Sequence, residues 1–159
     1  MRVVVNTSPL IALNQIGRLE LLRQLYGAII RPQSVYDELK GGLDQHEYSD
    51  SILSADWIIT EPDPEGMALR RELGAGETAA IILAHKTKAD LLILDDLQAR
   101  IVATGMGLRI TGTLGVLLAA KRQNIISDLA KVIKDLQTAG FHISQALTDD
   151  FMNKGEKHN

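Results

Sequence analysis

The stretch Val3-Val4-Val5-Asn6-Thr7-Ser8-Pro9-Leu10-Ile11 decides the fold class. Three β-branched residues favour a strand over residues 2–5. The polar triplet that follows can cap a helix, and Pro9 is tolerated in a helix's first turn. Asn6 stands where the strand stops. In open α/β sheets, ligands bind in the crevice outside the carboxyl ends of the strands. Position 6 therefore marks the expected place of a site.

Outward from this stretch, short aliphatic runs alternate with helical patterns. Pro9 to Gln15 and Leu19 to Leu25 read as two short helices separated at Gly17, and Ala28-Ile29-Ile30 as a second strand. Pro32 suits the first turn of a helix through Val35 and Leu39, which Gly41-Gly42 stops. A polar stretch from Asp44 to Ser51 is expected to form a surface helix or loop. Trp57-Ile58-Ile59 reads as a strand, with Pro62 and Pro64 marking the turn after it. Glu77 to His85 is helical, entered through the turn Gly74-Ala75-Gly76.

Leu91-Leu92-Ile93-Leu94 is apolar on both faces and reads as the central strand. A helix from Leu97 to Thr104 is broken by Gly105 and Gly107, and Leu108-Arg109-Ile110 forms another strand. Thr111-Gly112-Thr113 leads into a helix ending near Asn124. Ser127 or Asp128 caps a helix that Gly140 closes, and a last amphipathic segment spans Ser144 to Phe151. The alternation predicts one α/β domain over residues 1–152, with a mostly parallel sheet between layers of helices. Residues 153–159 are expected to be a disordered polar tail.

The bulk properties narrow the function. A chain of 159 residues fits one domain with a sizeable core. The absence of cysteine excludes disulfides, thiolate metal sites and cysteine nucleophiles. No apolar run approaches the ~20 residues of a membrane span, and Arg2 leads straight into the first strand with no signal-peptide pattern. A cytoplasmic protein without membrane contact is expected. The net charge of -3 lacks the basic footprint of a general nucleic-acid binder. It is compatible with an enzyme that holds a phosphodiester through metal ions, since a carboxylate-rich site is itself acidic.

Four places carry candidate chemistry: Asn6 after the first strand, Glu38 on a helix, Glu77 at a helix start, and Asp95-Asp96 after the central strand. Converging on one sheet edge, such oxygen donors suit Mg2+ or Mn2+, which activate water and stabilise a phosphodiester in transition. Each also has an ordinary structural role. Glu77 is favoured by the helix dipole, Asp95 or Asp96 can cap the next helix, Glu38 can be a solvated helix residue, and Asn6 can cap the helix begun at Ser8-Pro9. Spacing alone does not choose between these.

Arg100 lies one turn beyond Asp96 and can hold a phosphate or pair with that acid at i, i+4. The four histidines lack ligand spacing, which argues against zinc. Ser8 has no nucleophile-elbow context, and the Gly74-Ala75-Gly76 turn lacks the lysine of a phosphate loop. Aromatic residues make up only 4% of the chain, so a base-stacking platform is poorly supplied. The apolar stripes Leu114, Leu117, Leu118 and Val132, Ile133, Leu136 suit an interface or core packing equally well.

Taken in order, the motifs resemble the PIN-domain family of metal-dependent ribonucleases, which includes the VapC-like toxins, and in particular a subfamily opening with Asn-Thr-Ser-Pro-Leu-Ile. The resemblance rests on Val5 to Leu13, Pro32 to Leu39, Leu73 to Ile81, Leu92 to Arg100 and Ile110 to Leu117. It implies a three-layer α/β fold and Mg2+- or Mn2+-dependent hydrolysis of single-stranded RNA. It places the family's acidic positions on Asn6, Glu38, Glu77 and Asp96, with Asp95 able to assist. Thr7 falls beside the first ligand, where it would hydrogen-bond a metal-bound water, and Arg100 would position substrate. The resemblance also implies a homodimer and a small antitoxin protein encoded nearby. The departure is Asn6, an amide where the family has aspartate: it offers an oxygen without the charge that strengthens metal binding.

Overall fold

The structure, a computed structural model, describes residues 1–42, 51–65 and 73–156. Strands β1 (Val3–Val5), β2 (Ile29–Pro32), β3 (Ile58–Glu61), β4 (Leu91–Ile93) and β5 (Ile110–Thr111) form one sheet in the order β3-β2-β1-β4-β5, with every pairing parallel. Parallel neighbours cannot be joined by hairpins, so helices make the crossovers. The crossover helices are α1 (Thr7–Gln15), α2 (Glu20–Tyr26), α3 (Gln33–Gly42), α4 (Ser51–Ser54), α5 (Ala75–Lys86) and α6 (Leu97–Gly105), and after β5 follow α7 (Thr113–Arg122), α8 (Leu129–Thr138) and α9 (Gln145–Glu156).

Side-chain alternation along the strands builds the three layers. Val3, Val5, Leu91 and Ile93 face a core shared with α1, α2, α3, α7 and α8. Val4, Leu92 and Leu94 face a second core made with α5 and α6. The expected α/β three-layer arrangement is therefore the observed one, and the sheet is wholly parallel. Two strands lie on the β2 side of β1 and two on the β4 side, so the strand order reverses between β1 and β4. At such a reversal neighbouring crossovers diverge and leave a crevice at the carboxyl edge.

Several boundaries differ from the sequence reading. Pro32 ends β2 opposite Glu61, and α3 begins one residue later. Without an N–H, Pro32 closes the ladder instead of opening the helix. α3 continues through Gly41 and Gly42. Of the Asp44–Ser51 stretch, positions 44–50 lie outside the described residues, and Ser51 begins α4. The tail expected from position 153 is helical through Glu156, with Gly155 buried. A Cβ at Gly155 would stand 3.0 Å from Leu129 Cδ2, so the missing side chain lets α9 seat closely beside α8. Positions 157–159 lie outside the described residues. Leu117, Leu118, Val132, Ile133 and Leu136 are all buried within the chain, so core packing accounts for those members of the two stripes. Among the described residues, no helix is long and apolar enough to cross a membrane.

Arg31 on β2 is a feature that periodicity does not reveal. It is only 1% exposed. Its Nη1 donates to the Ile52 carbonyl at 2.6 Å, its Nη2 to the Leu53 carbonyl at 3.1 Å, and its Nε to Thr60 Oγ1 at 3.1 Å. The Tyr36 ring lies 5.0 Å from the guanidinium carbon. Burial draws its pKa below the ordinary arginine value, partly offset by Tyr36. Among the described residues no carboxylate pairs with it, so neutral dipoles and a π face satisfy the charge. Arg31→Met should leave two carbonyls and the Thr60 hydroxyl without that partner and lower stability by about 2–4 kcal/mol in urea unfolding. A loss under about 0.5 kcal/mol would show that these bonds contribute nothing net.

Candidate functional site

β1 ends at Asn6, whose N–H donates to the Ile93 carbonyl at 3.0 Å and extends the β1–β4 pairing by one residue. Asn6 holds the N-cap position of α1, yet its side chain makes no capping bond. It is only 3% exposed, and among the described residues its Oδ1 is buried with no hydrogen-bond partner. An unpaired buried amide oxygen costs about 1–3 kcal/mol. The capping role allowed by the sequence is therefore not the one the fold uses.

Glu38 comes from α3, whose packing against α1 and α5 brings the carboxylate to the same edge. Thr7 Oγ1 donates to Glu38 Oε2 at 2.5 Å, and the Gly76 N–H donates to Glu38 Oε1 at 2.9 Å. Thr7 thus directs its hydroxyl proton at Glu38 rather than at a free position in the site. A Cβ on Gly76 would lie 2.7 Å from both Glu38 oxygens, so only glycine admits this approach. One turn into α5, Glu77 Oε1 accepts from the Gly74 N–H at 3.0 Å. This is half of a capping box, because a glycine cap has no side chain to return the bond.

The two aspartates after β4 diverge. Asp95 is half-buried and accepts from Thr113 N–H at 2.7 Å and Thr113 Oγ1 at 2.6 Å, which ties β4 to the start of α7. Asp96 is exposed and caps α6, accepting from the Ala99 N–H at 2.9 Å. Arg100 follows one turn later and, among the described residues, forms no ion pair with Asp96. A Cβ on Gly112 would meet Asp95 Oδ1 at 2.6 Å and Arg100 Nη1 at 2.9 Å. Glycine at 112 thus keeps room for both side chains beside the backbone.

All seven residues singled out from the sequence, Asn6, Thr7, Glu38, Glu77, Asp95, Asp96 and Arg100, line one cavity of about 730 Å³. Among the described residues, no three Asp, Glu or His side chains stand together closely enough to form a metal-binding group by themselves. Mg2+ is commonly held through one or two carboxylates plus waters, so a dedicated acidic cage is not required. The orphaned Asn6 oxygen and the hard-oxygen character of the wall fit such an ion. The cavity also has an apolar wall that the sequence reading missed, with Phe141, Ile143, Leu147 and Phe151 from the α8–α9 region. Its usable sequence signal was the spacing of Leu147 and Phe151 at i, i+4, which puts both on one helix face.

An acid-lined cavity at the switch point of a three-layer parallel sheet defines a class of α/β domain. The family model for DUF3368, described as a PIN domain, matches residues 2–157, and the chain belongs to that PIN-domain family. PIN domains are a nuclease fold, and they generally depend on divalent metals. The solved structure of a PilT N-terminus domain protein, SSO1118 from the hyperthermophilic archaeon Sulfolobus solfataricus P2, superposes with a TM-score of 0.54 at 14% identity, covering 91% of this chain and 98% of that one. At that identity the likeness concerns the fold. No curated protein matches the sequence.

The contact between Gly76 and Glu38 yields a specific expectation. Gly76→Ala should leave stability within about 1 kcal/mol of the parent, because the flexible end of Glu38 can swing aside. The displaced carboxylate should release the amide of residue 76, seen by NMR as an upfield proton shift and faster exchange. Gly105→Ala, where a Cβ meets nothing within 4 Å, should leave that amide unchanged.

Proposed function

We propose that this protein is a Mg2+- or Mn2+-dependent endoribonuclease hydrolysing phosphodiester bonds of single-stranded RNA, and the toxin of a type II toxin–antitoxin pair. The observation that carries the reading is the partnerless, buried Asn6 Oδ1 on the wall of a cavity that Glu38, Glu77, Asp95 and Asp96 also line. Membership of the PIN-domain family supports the reaction class.

Asn6, Glu77 and Asp96 each have a side-chain oxygen that no donor among the described residues engages, and these would hold the ion. A bound divalent ion supplies an acidified water and charge stabilisation at the scissile phosphate. Glu38 and Asp95 have both oxygens engaged by Thr7, Gly76 and Thr113, so they fix the starts of α5 and α7 around the cavity. Arg100 carries a guanidinium suited to a phosphate oxygen pair and would orient the strand. In this reading Thr7 acts by positioning Glu38. The toxin reading further assigns a cytoplasmic homodimer held in check by a small antitoxin encoded nearby.

A second reading, a PIN-like protein that binds RNA or a partner without cutting, is favoured by one observation: Asn6 brings no charge to the deepest position. Asn6→Asp separates the two. Adding a unit charge beside a divalent ion should tighten Mn2+ binding by about tenfold or more in calorimetry. In the nuclease reading, wild-type protein cleaves single-stranded RNA with Mg2+ or Mn2+, while Glu77→Ala and Asp96→Ala lose at least about a hundredfold. Wild-type turnover no higher than that of the alanine variants, with cleavage appearing only in Asn6→Asp, would establish the non-cutting reading.

A further inference from the structure

The sequence contains two phenylalanines, and both line the acid-rich cavity. Their placement follows from local rules. Gly140, at φ +102, ends α8; its N–H donates to the Gln137 carbonyl, and that of Phe141 donates to the Leu136 carbonyl, both at 3.0 Å. This is a Schellman ending, which turns Phe141 back over the last turn of α8 and beside Leu136, another lining residue. Ser144 Oγ then accepts from the Leu147 N–H at 3.1 Å and caps α9, setting the register that sends Leu147 and Phe151 to the cavity. Lys154 stands over the Phe151 ring at 5.4 Å from its centroid, and Phe151 lines the cavity while Lys154 does not.

We propose that the Phe141–Phe151 wall is a nucleobase subsite, which stacks one unpaired base of the strand whose phosphate lies at the acidic end. The inference rests on the nuclease reading for its substrate, but the subsite is testable separately. A nucleotide has the same polarity as the cavity: an anionic phosphate to meet Arg100 and a divalent ion, and a flat, weakly polar base to meet apolar side chains. A volume of about 730 Å³ is in the range of small-molecule sites and accommodates both parts. Leu147 lines the cavity and remains 42% exposed, which leaves apolar surface for an incoming ring. His142, also on the wall and exposed, can exchange hydrogen bonds with a base edge. Base–aromatic stacking is tolerant of sequence, so the subsite confers affinity and orientation more than a strict code.

The test uses the full chain with its phenylalanine rings isotope-labelled for NMR. Titrated with adenosine and cytidine without metal, both ring signals should shift, whereas ribose should leave them in place. Uncharged nucleosides avoid the repulsion that a phosphate meets at the acidic end, so this arm does not depend on catalysis. Phe141→Leu and Phe151→Leu keep apolar bulk against the core but lose the flat face. Each should weaken nucleoside binding and raise KM for single-stranded RNA roughly fivefold to a hundredfold, with kcat little changed. Ring shifts in a protein that fails to cleave would remove the nuclease reading and support the base subsite. Unmoved rings and unchanged KM in a cleaving enzyme would overturn the subsite and spare the nuclease reading. Rings that respond to a short apolar peptide and not to nucleosides would also overturn it, in favour of a protein partner.

Discussion

The parallel pairing of β1 with β4, Val3 against Leu91, Val4 against Leu92 and Val5 against Ile93, is the constraint from which the architecture follows. These six side chains are buried on alternating faces of the sheet. Because the strands are parallel, the chain must return over a face of the sheet each time, and every return starts from the same edge. Because the strand order reverses between these two strands, the returns part there. Asn6 and Asp95-Asp96 are the first polar residues beyond this seam, and α1 and α6 start immediately after them.

That edge gathers the starts of several helices, each presenting N–H groups without intrahelical partners. The fold answers with carboxylates: Glu38 and Glu77 at the start of α5, Asp95 at α7 and Asp96 at α6. The acids therefore stabilise the very elements that enclose the cavity. Glu77 and Asp96 use one oxygen each for this, whereas Glu38 and Asp95 use both. Asn6 differs from all of these. It is the most deeply buried polar group of the wall, and among the described residues it has no partner for its oxygen. A carboxylate in that place without a cation would carry a much larger burial penalty than an amide does. An amide in that place is therefore the less costly group to bury.

Much of this was readable beforehand. β-branched and aliphatic runs located β1 and β4, glycines bounded α5 and α6, and Asp128 capped α8 as its position suggested. The acids and the amide were visible as a set because strand ends and helix starts are local events. The burial of Arg31 was not readable, since its partners are the Ile52 and Leu53 carbonyls about twenty residues away and no sequence rule pairs an arginine with a distant helix end. The helical continuation past Asn153 was equally hidden. Its polar residues read as solvent-facing, and only the close seat of Gly155 beside Leu129 shows how that turn packs.

By itself, the sequence determined the layers, the parallel class of the sheet and the identity of the polar edge, because these depend on periodicity and on caps within a few residues. The tertiary structure alone decided which oxygens are engaged and which is left over. It showed that Thr7 serves Glu38, that Asp95 holds α7 while Asp96 caps α6, and that Asn6 caps nothing. It also placed both phenylalanines, more than 130 residues along the chain from Asn6, on the wall of the cavity that the acids line. Such facts arise from elements distant in the chain meeting at one edge, and the packing of α3, α7 and α9 around the sheet sets that meeting.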